Sequence, residues 1–217
     1  MIAILLHSIS LLGIVYFDHS LFTKAMPYIL LLMLVLIVYT QGKPTGGFVI
    51  FFVACYIIGM AADIAGVADS SLFGEFHYGT VLGPTFKKVP FLIGVNWFLI
   101  IYCCGITVNT VLQKLSARVT EMTGKVLPAI KRISLVTDAA MLAVFFSWVM
   151  ESAEIKLGYW SWTDSGDAPL YNYACWLVIS AVLMTIFSFL HFEKRNRFAL
   201  NLLLIQMMFY LLLRTFL

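Results

Sequence analysis

The sequence predicts an all-α, polytopic membrane helix bundle of about seven transmembrane helices, forming a single integral membrane domain over residues 1–217. Three observations predict it. Of the 217 residues, 62% are hydrophobic and only 12% are charged. The mean hydropathy of +0.96 lies far outside the range of soluble domains. The apolar residues also fall into stretches long enough to cross about 30 Å of hydrocarbon, which takes roughly 20 helical residues each.

Seven such stretches follow one another, near 1–17, 26–40, 47–66, 89–112, 127–150, 170–190 and 198–216. The first has no basic leading region and no small-residue cleavage site before Asp18, so it reads as a retained helix rather than a removed signal. The connections after the first, second and sixth are short, as in a compact antiparallel bundle. Two connections on the far side, 67–88 and 151–169, are longer, and they carry aromatics, acids and glycines. A plain connecting loop is polar and small.

Seven alternating crossings also divide the charges. Lys43, Lys114, Arg118, Lys125, Lys131, Arg132, Lys194, Arg195 and Arg197 fall on the N-terminal side, leaving Lys24, Lys87, Lys88, Lys156 and Arg214 on the other. The positive-inside rule then makes the N-terminus cytoplasmic. The acids lean the opposite way. Glu121 and Glu193 lie on the cytoplasmic side and Asp138 within 127–150, whereas Asp18, Asp63, Asp69, Glu75, Glu151, Glu154, Asp164 and Asp167 lie at or near the far face.

Several chemistries are excluded. The four histidines, His7, His19, His77 and His191, are too scattered for a metal cluster, so no metal is expected. Cys55, Cys103, Cys104 and Cys175 sit inside apolar segments as packing residues, without ligand or disulfide spacing. The last segment has no lysine to form a retinal Schiff base, and there is no glycine-rich phosphate loop or Ser-His-Asp order. The expected partners are membrane lipid and a lipophilic small molecule, with no nucleic acid.

The two long loops resemble each other. The first carries GEFHY at 74–78, then Pro90 seven residues before Trp97; the second carries GYWSW at 158–162, then Pro169 seven residues before Trp176. Each is preceded by an acid near the end of a helix, Asp63 or Glu151. An internal repeat would set two half-sites face to face. Chance is the alternative, since glycine, proline and aromatic residues are common at membrane boundaries.

A carboxylate at membrane depth costs a few kcal/mol, which makes Asp63 a functional candidate rather than a bystander. Gly59 and Gly66 share its helical face and admit a close neighbour. At about 1.5 Å per residue, Asp63 and Glu151 reach similar depth, with Asn96, Trp97 and Asn172 at comparable height. An interfacial acid that simply reaches water is the competing reading for either. His77, Tyr78, Tyr159, Trp160 and Trp162 are read either as site residues or as members of an aromatic belt. Asp138, about 20 Å from Glu151 and on another face, is expected to make a structural bond or a helix contact.

DIAGVADSSLFGEFHYGTVLGPTFKKVPFLIGVNWFLIIY, with ESAEIKLGYWSW and PLYNYACW, resembles the membrane carotenoid-biosynthesis family of CruF-type carotenoid hydratases, which includes the bisanhydrobacterioruberin hydratases. The resemblance covers about 59–102 and 148–180. In that family's pattern a glutamate precedes the first aromatic motif, and an aspartate followed by proline precedes the second. Asp63 and Glu151, the latter followed by Ser152, stand at those positions, so the acids keep their charge and exchange lengths.

The resemblance implies a cofactor-independent carotenoid 1′,2′-hydratase of a bacterial or archaeal cytoplasmic membrane. It would add water to the terminal C=C of an acyclic end group on a lycopene- or γ-carotene-type substrate, giving a tertiary alcohol. Protonating such an alkene makes a tertiary carbocation and needs a carboxylic acid that keeps its proton, a form that burial among apolar groups favours. Aromatic faces stabilise the cation, and a second carboxylate takes the proton of the attacking water. Asp63 and Glu151 are the expected catalytic pair. His77, Tyr78, Asn96, Trp97, Tyr159, Trp160, Trp162 and Asn172 are expected to position substrate or water, with the Gly83–Pro84 turn closing the site. A lycopene-cyclase-like end-group cyclase begins with the same protonation, and a non-catalytic membrane carrier or transporter is the rival from another class.

Overall fold

A computed structural model describes residues 1–123, 127–163 and 168–217. Lys125, Asp164 and Asp167, counted above by side of the membrane, lie outside the described residues. The architecture is a helix bundle. α1 (Ile2–Leu12) continues as a π-helical turn through Phe17, and α2 is His19–Thr40. α3 is Gly46–Ala68, followed by the single-turn α4 (Ser70–Phe73). Three short strands, β1 (Phe76–Tyr78), β2 (Thr85–Phe86) and β3 (Val89–Pro90), lead to α5 (Leu92–Thr123). Then come α6 (Pro128–Lys156), β4 (Trp160–Trp162), α7 (Leu170–Phe189) and α8 (Arg197–Phe216).

Six of these helices, α2, α3, α5, α6, α7 and α8, are long and apolar enough to cross a membrane, while the segment Ile2–Phe17 is shorter. The chain is an integral, multi-pass membrane protein. α2 begins seven residues before the expected 26, because the Asp18 carboxylate caps it by accepting from Leu21 N at 2.9 Å. Lys24 therefore lies inside this helix rather than before it. α6 runs on to Lys156, so Glu151 and Glu154 are helical residues and not the opening of a loop.

α5 is the axis of the bundle. Every residue from Trp97 to Cys104 is at most 2% exposed, because α3, α6, α7 and α8 surround it. In lipid there is no hydrophobic gain from helix association, so close packing and interhelical hydrogen bonds hold such a helix. Near the N-terminal-side end, Phe48, Phe51, Phe98 and Phe187 pack edge to face. Beside them, Asn196 Nδ2 donates to Thr40 Oγ1 (3.1 Å) and the Tyr102 hydroxyl (3.2 Å), and that hydroxyl donates to Gln41 Oε1. Gln41 Nε2 in turn donates to the Glu193 carbonyl at 2.7 Å. The connections 41–45 and 190–196 therefore share one end of the molecule.

The two long loops occupy the other end, and they pair. β1 and β4 form an antiparallel ribbon with Phe76 opposite Trp162, His77 opposite Ser161 and Tyr78 opposite Trp160. Sequence reading expected loops here; three-residue strands are too short to show a period. β2 and β3 form a hairpin turned by Lys87 and Lys88, both at positive φ (49° and 69°).

Candidate active site

α3 presents Asp63 on its buried face, where it is 5% exposed. Gly59, one turn earlier, lets the Trp97 indole lie across the helix: a Cβ there would stand 2.4 Å from the ring. Gly66 admits the Phe73 ring in the same way. From its seat on Gly59, Trp97 donates Nε1–H to Asp63 Oδ2 at 2.6 Å. The Tyr78 phenol also interacts with Asp63. Burial, the first cause, and the neighbouring Asp63 hold this phenol well above its usual range, so it stays a donor.

Glu151, 8% exposed, occupies the equivalent place on α6. Trp162 Nε1–H donates to its Oε1 at 2.8 Å, and the Tyr173 hydroxyl to its Oε2 at 2.6 Å. Each acid is thus met by one indole and one phenol. In each case one of the two comes from the loop that follows the acid's helix and the other from the next membrane helix. Charge-assisted bonds of this kind are short and directional, and they fix a carboxyl in the plane the donors set.

Asp63 and Glu151 open on one cavity, with Asn96 and Asn172 also on its wall. Trp97 is stacked on Trp176, with ring centroids 4.1 Å apart and planes 13° off parallel. Tyr78, Trp160 and Trp162 complete the lining from the ribbon. The residues that the apparent repeat makes equivalent therefore meet: strand with strand, and Trp97 with Trp176.

His77 and Tyr159 are not part of this lining. Side chains alternate along a strand, so when Tyr78 and Phe76 face inward His77 faces out; it is exposed and contacts Thr163 Oγ1 at 3.3 Å. Tyr159 is buried in an adjoining chamber with Glu154. Gly83 and Pro84, expected to close the site, are exposed and flank an outer groove with His77. Asp138 is exposed on α6, and its Oδ1 accepts from the neighbouring Thr137 hydroxyl at 3.4 Å rather than from another helix. Among the described residues no three of His, Cys, Asp and Glu are grouped to hold a metal ion.

Residues 24–217 match the family model described as carotenoid biosynthesis protein. The chain belongs to this family. Over 138 residues it is 28% identical to a protein of Haloarcula japonica named bisanhydrobacterioruberin hydratase; the aligned part is 63% of this chain and 43% of that protein. The chain thus spans less than half the length of the curated relative it matches. No solved structure matches the chain.

Three residues of this carotenoid biosynthesis protein escaped sequence reading. Tyr173 and Trp176, on α7, were hidden by the apolar run around them, although Trp176 carries the repeat signal seven residues after Pro169. Glu154 was counted as an interfacial acid, yet it is 2% exposed. Its position three residues after Glu151, on the same helical face, was the available signal.

Proposed function

We propose that this protein hydrates the terminal trisubstituted C=C of an acyclic carotenoid end group. The observation that carries the reading is the pair of buried carboxyls, Asp63 and Glu151, opening on one aromatic-walled cavity. The family, and a relative whose name states a hydratase, support the same chemistry.

In this scheme the polyene enters sideways from lipid and presents its end group between the two acids. One carboxylic acid gives its proton to the CH carbon of the double bond as the π bond breaks, leaving a tertiary cation. The faces of Trp160 and Trp162 hold that cation. Water bonds to it through oxygen, and the second carboxyl takes the surplus proton. Water addition is redox-neutral, so the reaction calls for no oxidant or redox cofactor. Asn96 and Asn172 orient the water, and a lycopene- or γ-carotene-type polyene is the substrate class. Cyclisation starts from the same cation and differs only in what quenches it.

Co-expression with lycopene or γ-carotene production tests the reading. The product should gain the mass of one water. An unchanged mass with altered retention would mean cyclisation, and an unaltered pigment would favour a carrier.

A further inference from the structure

A second cavity, with room for water, adjoins the first, and Asn96, Ile93 and Trp160 line both. Its far wall is polar although it lies inside the bundle: Glu154, Tyr210, Gln206 and His7 face it, each at most 8% exposed. Tyr210 donates its hydroxyl hydrogen to Glu154 Oε1 at 2.8 Å. Glu154 Oε2 is buried with no hydrogen-bond partner among the described residues. An unpartnered buried carboxyl oxygen is costly, and a polar chamber is where an ordered water meets such a group.

We propose that the Glu154 chamber is a water-binding site that supplies the nucleophile to the end group held between Asp63 and Glu151. The inference rests on the hydration reading above. Glu154 Oε2 accepts a hydrogen from the stored water, and Asn96, on the shared wall, lies on the route to the cation. Glu154 is a positioning residue here, three residues along α6 from Glu151 and on the same face. The balance is that of hydration: the acid's proton forms the new C–H bond, the water oxygen forms the C–O bond, and the water's released proton restores the acid pair.

The chamber makes water supply separable from protonation. With supply removed, the cation can only lose a proton again, which returns an unhydrated polyene. In D2O that polyene carries deuterium delivered by the acid. Two variants address the chamber by different means: Glu154→Leu removes the acceptor, and Ile29→Phe fills the space from α2 without touching the carboxyl.

Both are assayed in D2O membranes with a ψ-end polyene, reading hydrated product and deuterium in recovered substrate by mass. The expected result is a loss of hydration of at least about ten-fold together with deuterated, unhydrated polyene. If Ile29→Phe hydrates as fast as the wild type, the proposal falls. It also falls if both variants lose deuterium uptake along with hydration, because the chamber then holds the polyene or the fold. A wild type that neither hydrates nor incorporates deuterium would instead overturn the hydratase reading itself.

Discussion

At the scale of single residues, the site is a matter of donors arranged around two carboxyls. Asp63 is oriented by Trp97 Nε1 at 2.6 Å and interacts with the Tyr78 phenol. Trp97→Phe keeps the apolar stack on Trp176 but removes the indole donor. It is expected to slow turnover by about ten- to a hundred-fold, in line with the loss of one charge-assisted hydrogen bond of about 1.5–3 kcal/mol, while the protein stays folded; turnover equal to the wild type would show that the indole does not orient Asp63. Tyr78 makes a second, independent prediction. Its phenol is held well above its usual value in the fold, whereas in the unfolded chain it ionises near about pH 10. Its stabilising contribution is therefore complete below that pH and lost as the pH rises through the folded value. Thermal unfolding in detergent should show the wild type losing stability above about pH 10 more steeply than Tyr78→Phe does; equal slopes would contradict this.

At the scale of elements, the β1–β4 ribbon is the part that turns two loops into a lid for the acids. It depends on one close approach: a Cβ on Gly79 would stand 2.0 Å from the Gly158 carbonyl oxygen, a backbone atom that has no rotamer to yield with. Gly79→Ala should lower the melting temperature, at a cost of about 1–3 kcal/mol, and reduce activity because Tyr78 and Trp160 move with the strands; an unchanged melting temperature would mean the ribbon yields freely. The helices were legible in the sequence because apolar runs of membrane length are hard to produce by chance. Gly59, Gly66, Asp63 and Glu151 were legible because small residues and acids are costly or pointless at depth without a partner. The ribbon was not, since pairing between residues 76–78 and 160–162 leaves no local period. For that reason His77 and Tyr78 looked equivalent, and only strand alternation separates the inward Tyr78 from the outward His77. Tyr173 depends on a tertiary contact that spacing alone does not encode, whereas Glu154 carried a spacing signal, three residues after Glu151 on one helical face.

At the scale of the molecule, two helix pairs, α3 with α5 and α6 with α7, bring matching acids, rings and strands to one end, while most of the basic residues lie toward the other. The charge bias predicts a cytoplasmic position for that other end, which cysteine labelling tests. In a Cys175→Ser background, Lys88→Cys should react with an impermeant maleimide from outside intact cells and Lys43→Cys only after permeabilisation; the reverse labelling would invert the topology. The central claim is that Asp63 and Glu151 work as one acid–base pair on a polyene end group, and product mass tests it most directly. In a lycopene- or γ-carotene-producing host, the wild type should convert pigment to a product heavier by one water. Asp63→Asn and Glu151→Gln, expressed at equal level in the membrane, should each lower that conversion by about 100-fold or more. Undiminished hydration by either variant would contradict the account.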